Sequence, residues 1–454
     1  MGYLEFFQQR AVPRTRREKI LVYKLDTFIM TYCCACYFFN YLDRSAFANA
    51  YVAGLQEDLS LVGNNYSILL SLFTAGNLVG QIPHALILQK VQPRIWLPTT
   101  LIAWSGLTMC CAAANNYAQL AALRFFQGFF EASLWSGTMY IIGSWYTPLE
   151  IAKRTSLFAA IGQVGSMFAG IMMTAMRNSM DGTHGLAGWQ WVFLLDGLMG
   201  IPVGLWGLFF FPNLPEDTNV SYLSKDELQL AKDRLPPKVD NTHDISPRSL
   251  ARRVLTQPAV YILTMFAMHC GALEAFAFQG GFLLWLKHFK ADYPANAANT
   301  YPLGIQAVSI VAMIAAGVYI DATNQRVSVG LFTALMQLVT GIILAIRSSP
   351  PPAVFAAFYL SGTSYIVNPI LYGWANIMLQ RSGDDAARSI VMYTMNTGGQ
   401  LLYTWWGIVM YPATDVPYWK KGAIAVIVLS SLFPASLWLM TWASIMLPAK
   451  KVLR

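Results

Sequence analysis

The sequence predicts an all-α polytopic membrane protein with 12 transmembrane helices in two pseudo-symmetric six-helix bundles. Three observations carry this prediction. Of 454 residues, 56% are hydrophobic and only 12% are charged, about half the charge of a soluble domain; mean hydropathy is +0.43. The apolar stretches fall into two sets of six, each near the roughly 20 residues that cross a bilayer. A shift of 234 residues also carries Glu150 onto Asp384 and Arg154 onto Arg388, and brings Arg94 within two residues of Arg326. Each acid-to-arginine pair opens the fifth span of its half. The i,i+4 spacing alone is ordinary end-capping worth about 0.3–0.5 kcal/mol; its recurrence at one offset points to a structural repeat.

The elements follow in order. Residues 1–24 form an N-terminal arm whose basic residues precede no apolar stretch, so it does not read as a cleaved signal peptide. Phe6 stands where myristoylation needs Ser or Thr. The first bundle, 25–211, contains spans near 25–55, 66–88, 95–114, 118–142, 155–177 and 189–211. Its first apolar run, Phe28 to Phe39, is too short to cross alone, so the helix must continue through Asp43-Arg44 and carry both charges at membrane depth. The polar segment 212–257 carries a capping-box signature at Ser224 and Glu227. That helix should run to about Leu235, stop at Pro236-Pro237, and act as a solvated linker; Arg248, Arg252 and Arg253 offer a weaker case for a membrane-surface contact. The second bundle, 258–447, contains spans near 258–286, 301–320, 327–346, 353–379, 387–411 and 422–447, followed by a tail, 448–454. Gly76, Gly80, Gly162, Gly165 and Gly170 suit close helix approach. Trp374, Trp405 and Trp406 fit either a cavity wall or an interfacial belt.

Charge placement gives an orientation. With both termini on one side, 23 Lys and Arg fall on that side and 6 on the other, with Arg44 and Arg124 inside the membrane. The positive-inside rule then puts both termini and the central segment in the cytoplasm. This accounts for the pI of 9.1 without nucleic acid. The plasma membrane is expected, with a vacuolar or lysosomal membrane as the alternative. All six cysteines fall inside spans, which argues against a disulfide framework or a zinc site. Asn65-Tyr66-Ser67 is a glycosylation sequon set very close to the second span.

Four charges in the membrane carry the functional reading: Asp43 and Arg44 in the first span, Arg124 and Glu131 in the fourth. Burying a charge in hydrocarbon costs several kcal/mol unless it is paired or lines a wet cavity. Arg124 and Glu131 are seven apart, on nearly one face of their helix. A guanidinium binds a carboxylate bidentately and stays charged, and a cavity carboxylate can take up and release a proton. Arg44 and Arg124 are therefore candidates for holding an organic anion, and Asp43 and Glu131 for carrying a proton; static ion pairing is the alternative. Glu274 in the seventh span is a further substrate candidate, or a partner of His269 through water. Asp196 reads as structural, and Lys24 and Asp26 mark the entrance of the first span.

The motifs Asn40-Tyr41-Leu42-Asp43-Arg44 and Arg124-x3-Gly128-x2-Glu131, with Trp145-Tyr146-x3-Glu150-x3-Arg154 and Asn396-Thr397-Gly398-Gly399, resemble the major facilitator superfamily, in its anion:cation symporter (allantoate permease) branch. YLDRSAFANAYVAGLQEDL and GGFLLWLK are similar to fungal vitamin and organic-acid permeases, pantothenate transporters above all, with allantoate, nicotinate and biotin permeases as relatives. The superfamily's loop signature is degenerate after the second span, while its counterpart after the eighth keeps Gly317, Asp321 and Arg326. The resemblance implies a proton-coupled symporter working by alternating access. It further implies substrate contacts from Tyr41, Gln163 and Asn396, and a cytoplasmic gate of Glu150, Arg154, Asp321, Arg326, Asp384 and Arg388. Pantothenate is the expected substrate, H⁺ the coupling ion, the lipid bilayer the surroundings and a monomer the assembly, without cofactor or nucleic acid. An enzyme is disfavoured because the five histidines are scattered and no HExxH or GxSxG motif occurs. A non-transporting nutrient sensor remains a second class, set apart by the absence of uptake.

Overall fold

The computed structural model describes residues 15–446 apart from 89–90, 236–254, 257, 279, 295, 324 and 381–384, and the described residues contain helices and turns without a strand. Eight of the described helical stretches are long and apolar enough to cross a membrane by composition alone.

The first helix, α1 (Arg16–Asp58), begins nine residues before the expected span. Thr15 caps it: its hydroxyl accepts from the Glu18 amide, and Glu18 Oε2 takes the Thr15 N–H at 2.8 Å, so two orphan donors are satisfied reciprocally. Two π-helical turns, Asp26–Met30 and Tyr51–Leu55, widen α1 near its ends. Gly54 lies within the second at φ +133°, a conformation natural to glycine.

The first bundle continues with α2 (Asn65–Leu88), α3 (Pro93–Cys111), α4 (Tyr117–Trp145), α5 (Pro148–Ser179) and α6 (Gly188–Phe210). A short helix, α7 (Lys225–Asp233), lies in the connecting segment. The second bundle runs through α8 (Pro258–Phe278), α9 (Gly281–His288), α10 (Ala297–Thr300), α11 (Leu303–Thr323), α12 (Arg326–Ala345), α13 (Pro351–Ser361), α14 (Val367–Gln380), α15 (Asp385–Met410) and α16 (Lys420–Met446). The expected seventh span is broken between α8 and α9 at Gly280, which takes φ +66°. The expected tenth is α13 and α14 joined by a 3₁₀ stretch, Gly362–Ile366. Asn65 opens α2, and Ser67 of its sequon is buried.

Packing repeats between the halves. In the first bundle the dominant pairs are α1 with α5, α2 with α4, and α3 with α6. In the second they are α8 with α15, α11 with the 3₁₀ stretch between α13 and α14, and α12 with α16. Counted by span, each second-half pair is a first-half pair advanced by six. The bundles meet along α2 with α15 and α5 with α11, which are equivalent under the same exchange. One apolar core cluster lies in the first half and its linker, one lies in the second half, and a third runs across both, from Phe47 and Trp189 to Phe282 and Trp285.

At one end of the molecule the chain connections are fastened to the first bundle. Lys24 Nζ reaches both carboxylate oxygens of Glu227 at 2.8 and 2.9 Å and the Tyr222 carbonyl at 3.0 Å. The Tyr222 ring stacks on Phe28 at 3.8 Å, and Arg234 donates to the Trp145 carbonyl at 2.8 Å. Thus α7 is docked through these contacts, where the sequence suggested a solvated linker. Its capping box between Ser224 and Glu227 is present, while Pro236-Pro237 lies outside the described residues. Burial pushes the Glu227 carboxyl up, but the Lys24 side chain and the Ser224 amide outweigh it and hold it below its ordinary value.

At the other end the two bundles are pinned together. Lys287 Nζ pairs with Glu57 Oε1 at 2.9 Å and donates to Gln56 Oε1 at 2.8 Å and to the Tyr51 carbonyl at 3.2 Å. Asn296 donates to Asn178 at 3.0 Å and Thr414 to Asn64 at 3.3 Å.

The tightest crossing within a bundle is that of α2 and α4. A Cβ on Gly76 would overlap the Phe125 carbonyl oxygen, and a Cβ on Gly128 would overlap that of Phe73. Overpacking costs typically about 1–3 kcal/mol. Gly128→Val is therefore expected to lower the thermal midpoint of the purified protein in detergent by several degrees, and an unchanged midpoint would remove the crossing from the fold's requirements.

Candidate functional site

The four intramembrane charges converge where α1 meets α4, with partners that sequence spacing did not indicate. Arg44 Nε and Nη2 both reach Glu131 Oε1, at 2.8 and 2.7 Å. Its guanidinium also lies 5.2 Å from the Phe73 ring centroid and 5.7 Å from that of Tyr41. Arg124 is 1% exposed and is sandwiched by Phe47 and Phe73, at 4.6 and 4.4 Å. Its Nη1 donates to the neutral Gln127 Oε1 at 2.8 Å. Gln127 in turn donates through Nε2 to Asp43 Oδ2 and to Thr108 Oγ1, and Thr108 donates to the same Asp43 oxygen at 2.8 Å. A glutamine thus bridges arginine and aspartate through its two ends. Gln127 stands three residues after Arg124 and four before Glu131, so all three share one helical face. That spacing was a legible signal, and the sequence reading passed over it.

Two cavities flank this cluster between the bundles. The larger, about 180 Å³, is lined by Tyr41, Arg44, Glu131, Gln163, Glu274 and Asn396 among others. Six sequence-predicted residues from α1, α4, α5, α8 and α15 therefore share one space. The smaller, about 70 Å³, includes Tyr41, Arg44 and Arg124 in its lining. Asp43, 1% exposed, lines neither. Arg44 faces both.

In the second bundle, Glu274 accepts from Asn368 Nδ2 at 2.6 Å and from the Tyr403 hydroxyl at 2.8 Å. Both donors line the larger cavity. His269 is engaged elsewhere: Nδ1 meets Ser436 Oγ at 2.7 Å and Nε2 the Leu429 carbonyl at 2.9 Å. Those contacts tie α8 to α16 and leave Glu274 with its own partners. The sequence also passed over Asn77, Gln81, Tyr365 and Tyr372, which line the larger cavity. The Thr397 hydroxyl donates to Gln81 Oε1 at 2.9 Å and joins the bundles there. These are neutral polar residues in apolar spans, a weaker sequence signal than a charge. Trp135, 5.6 Å from Tyr372, supplies the aromatic wall. Of the suggested tryptophans, Trp374 packs edge-on against Phe266 and Trp405 is exposed.

Asp196 on α6 is 3% exposed, and its Oδ2 has no hydrogen-bond partner. Asp43 Oδ1, Glu131 Oε2 and Arg124 Nε share that condition. Of the proposed gate residues, Arg154 makes a two-pronged contact with Asp26, Nε to Oδ1 at 2.7 Å and Nη2 to Oδ2 at 2.6 Å, with its guanidinium 4.2 Å from the Tyr146 centroid. Arg326 opens α12. The side chains of Glu150, Asp321, Asp384 and Arg388 lie outside the described residues.

A cavity between two related six-helix bundles, lined by intramembrane charges, is the layout of a secondary transporter. The chain belongs to the major facilitator superfamily: a model of that family matches residues 33–406. Among curated proteins it is 36% identical over 419 residues to the pantothenate transporter liz1 of Schizosaccharomyces pombe, covering 91% of this chain and 80% of that one. It is 34% identical over 426 residues to the pantothenate transporter FEN2 of Saccharomyces cerevisiae, covering 91% and 82%. To the vitamin H transporter of that yeast it is 28% identical, covering 95% and 73%. Among solved structures, the proton:xylose symporter XylE superposes with a TM-score of 0.69 at 11% identity, covering 91% of this chain and 96% of that one; this establishes the shared fold. The protein is therefore a multi-pass membrane transporter of that superfamily.

Replacing Gln127 with leucine removes the Gln127 partner of Arg124 Nη1 and leaves Asp43 Oδ2 with Thr108 as its remaining donor. A buried group stripped of its partner costs about 1–3 kcal/mol. Gln127→Leu should lower the thermal midpoint in detergent measurably, and equal stability of variant and wild type would remove the bridging role.

Proposed function

We propose that the protein is a proton-coupled symporter for a small organic anion, pantothenate, operating by alternating access. The observation that carries this reading is the Arg44–Glu131 ion pair on the wall of the larger inter-bundle cavity. The pantothenate transporters matching 91% of the chain support the choice of substrate.

The coupling follows from competition for one cation. While Glu131 is ionised it occupies two donors of Arg44. Protonating it removes the opposing charge and releases the guanidinium for a substrate carboxylate, which it can grip bidentately. Proton and anion then favour each other's binding, as reciprocal linkage requires. Gln163, Asn396, Tyr41 and Glu274 contact the rest of the substrate. Asp43, reached through Gln127, is the second proton carrier, and Arg124 the second cation. The vitamin H transporter relative supports a second reading, in which the same machinery carries biotin or another monocarboxylate.

The excess of basic residues in the terminal and central segments of the sequence supports a cytoplasmic location for the α7 end and for both termini. The end pinned by Lys287 is then the outer one, closed here. Arg154 with Asp26, and Arg326 with Asp321, Asp384 and Arg388, belong to the cytoplasmic gate. The plasma membrane is the assigned site and a monomer the working unit.

Three measurements test the reading. In proteoliposomes, Glu131→Gln should abolish pantothenate accumulation driven by an imposed pH gradient while retaining counterflow exchange; normal gradient-driven accumulation would sink the coupling role. Arg44→Lys keeps the charge but loses the planar fork, so KM should rise about 10-fold or more, equivalent to about 1.4 kcal/mol. A competition panel of vitamins and organic acids against labelled pantothenate ranks the substrates, and stronger competition by biotin would favour the second reading.

A further inference from the structure

The smaller cavity differs from the larger in charge. Among the described residues, the larger is lined by one arginine and two carboxylates, Arg44 against Glu131 and Glu274. The smaller is lined by two arginines, Arg44 and Arg124, and by no carboxylate. An anion is therefore electrostatically better placed in the smaller space.

Its polar wall is also short of partners. Asn299 is 1% exposed, and both its amide nitrogen and its amide oxygen lack a hydrogen bond. Gln306 Oε1 and Arg124 Nε are orphaned in the same way, and all three residues line this cavity. Buried polar groups nearly always find a partner, and a cluster that does not calls for an occupant. The backbone holds Asn299 in place, because its carbonyl packs directly on Gly170 of α5. At about 70 Å³ against about 180 Å³ the space is the smaller of the two and suits a head group such as a carboxylate. Tyr41 and Tyr365 line both cavities and so mark where they adjoin.

We propose that the smaller cavity is a carboxylate-head subsite, in which Arg124 and Arg44 supply the charge and the Asn299 amide donates to a carboxylate oxygen. The tail of the same ligand extends past Tyr41 and Tyr365 into the larger cavity. This rests on the organic-anion transport reading above and adds a division within it: the small cavity selects for an anionic head, and the large one identifies the molecule that carries it. Gln306 Oε1 accepts from a hydroxyl or amide N–H near the head.

The test uses purified full-length protein and thermal stabilisation by two probes: acetate, a carboxylate head without a tail, and the alcohol analogue of pantothenate, a tail without a carboxylate. Acetate should stabilise the wild type. Asn299→Leu, which fills the cavity and removes the donor, should weaken the apparent acetate affinity by about 10-fold or more, the loss of one hydrogen bond to a charged group, while leaving the alcohol response in place. Asn299→Ala, which only trims the side chain, should weaken acetate without altering the response to the alcohol and decides the matter if the leucine variant does not fold. An absent acetate response in the wild type, an intact one in both variants, or parallel loss of both responses would overturn the subsite. Acetate sensitivity lost on substitution, with a wild type blind to pantothenate itself, would uphold the subsite and overturn pantothenate as the substrate.

Discussion

The contact between Arg44 and Glu131 governs the arrangement of the whole site. It joins the two helices that carry both intramembrane arginines, and Arg44 lines both cavities. An arginine at this depth is tolerable only with an opposite charge or a polar ligand beside it. One carboxylate oxygen of Glu131 receives both contacts, and the other oxygen has no partner. The pair is thus closed toward Arg44 and unfinished on its other side. A finished pair would merely hold helices together, whereas an unfinished one can exchange partners at small cost.

The remaining charges are arranged so as not to interfere with that exchange. Arg124 lies between two phenyl rings, which provide favourable cation–π contact without offering a competing carboxylate. Gln127 stands between Arg124 and Asp43 and satisfies one donor and one acceptor with a neutral group. A carboxylate at that position would quench Arg124, and an apolar residue would take the Nη1 partner from Arg124 and leave Asp43 Oδ2 with Thr108 alone. The bridge therefore keeps the second cation available while its surroundings remain hydrogen-bonded.

Much of the scaffold was legible from the sequence. Most span positions agree to within several residues because each rests on local hydrophobicity and on punctuation such as the Ser224–Glu227 box, which forms as read. The charged quartet was equally visible, since a charge in an apolar run is locally anomalous. Who pairs with whom was not. Asp43 and Arg44 are sequence neighbours yet belong to different networks, because adjacent positions on a helix point about 100° apart. The split of the cavity, the break at Gly280 and the role of Asn299 depend on how separate helices rotate and approach, and one helix's spacing does not encode that. Neutral residues such as Gln81 and Tyr403 were missed because polarity without charge is common in membrane helices that pack on one another.

The two halves share a packing plan, and they do not share a charge plan. Each bundle pairs its spans in the same way, so the fold has two equivalent places where a cation–carboxylate pair could stand. Among the described residues that line the two cavities, only the first bundle supplies both signs; the second contributes Glu274, held by Asn368 and Tyr403 as an acceptor on both oxygens. With symmetric furnishing, an anion would find equal footing on both bundles and would not be tied to one. Under the proposed function, concentrating the cations in the first bundle would give the substrate a fixed anchor. The second bundle can then move around that anchor, its neutral amides and phenols making and breaking hydrogen bonds that individually contribute little. The Lys287 contacts at the far end reach across to residues of α1, including the Tyr51 carbonyl in its π-helical turn, so the helix bearing Arg44 also carries the contacts that pin the bundles at that end. A shift of α1 that loosens one therefore bears on the other, and under the proposed function this would link the occupancy of Arg44 to the opening of the protein.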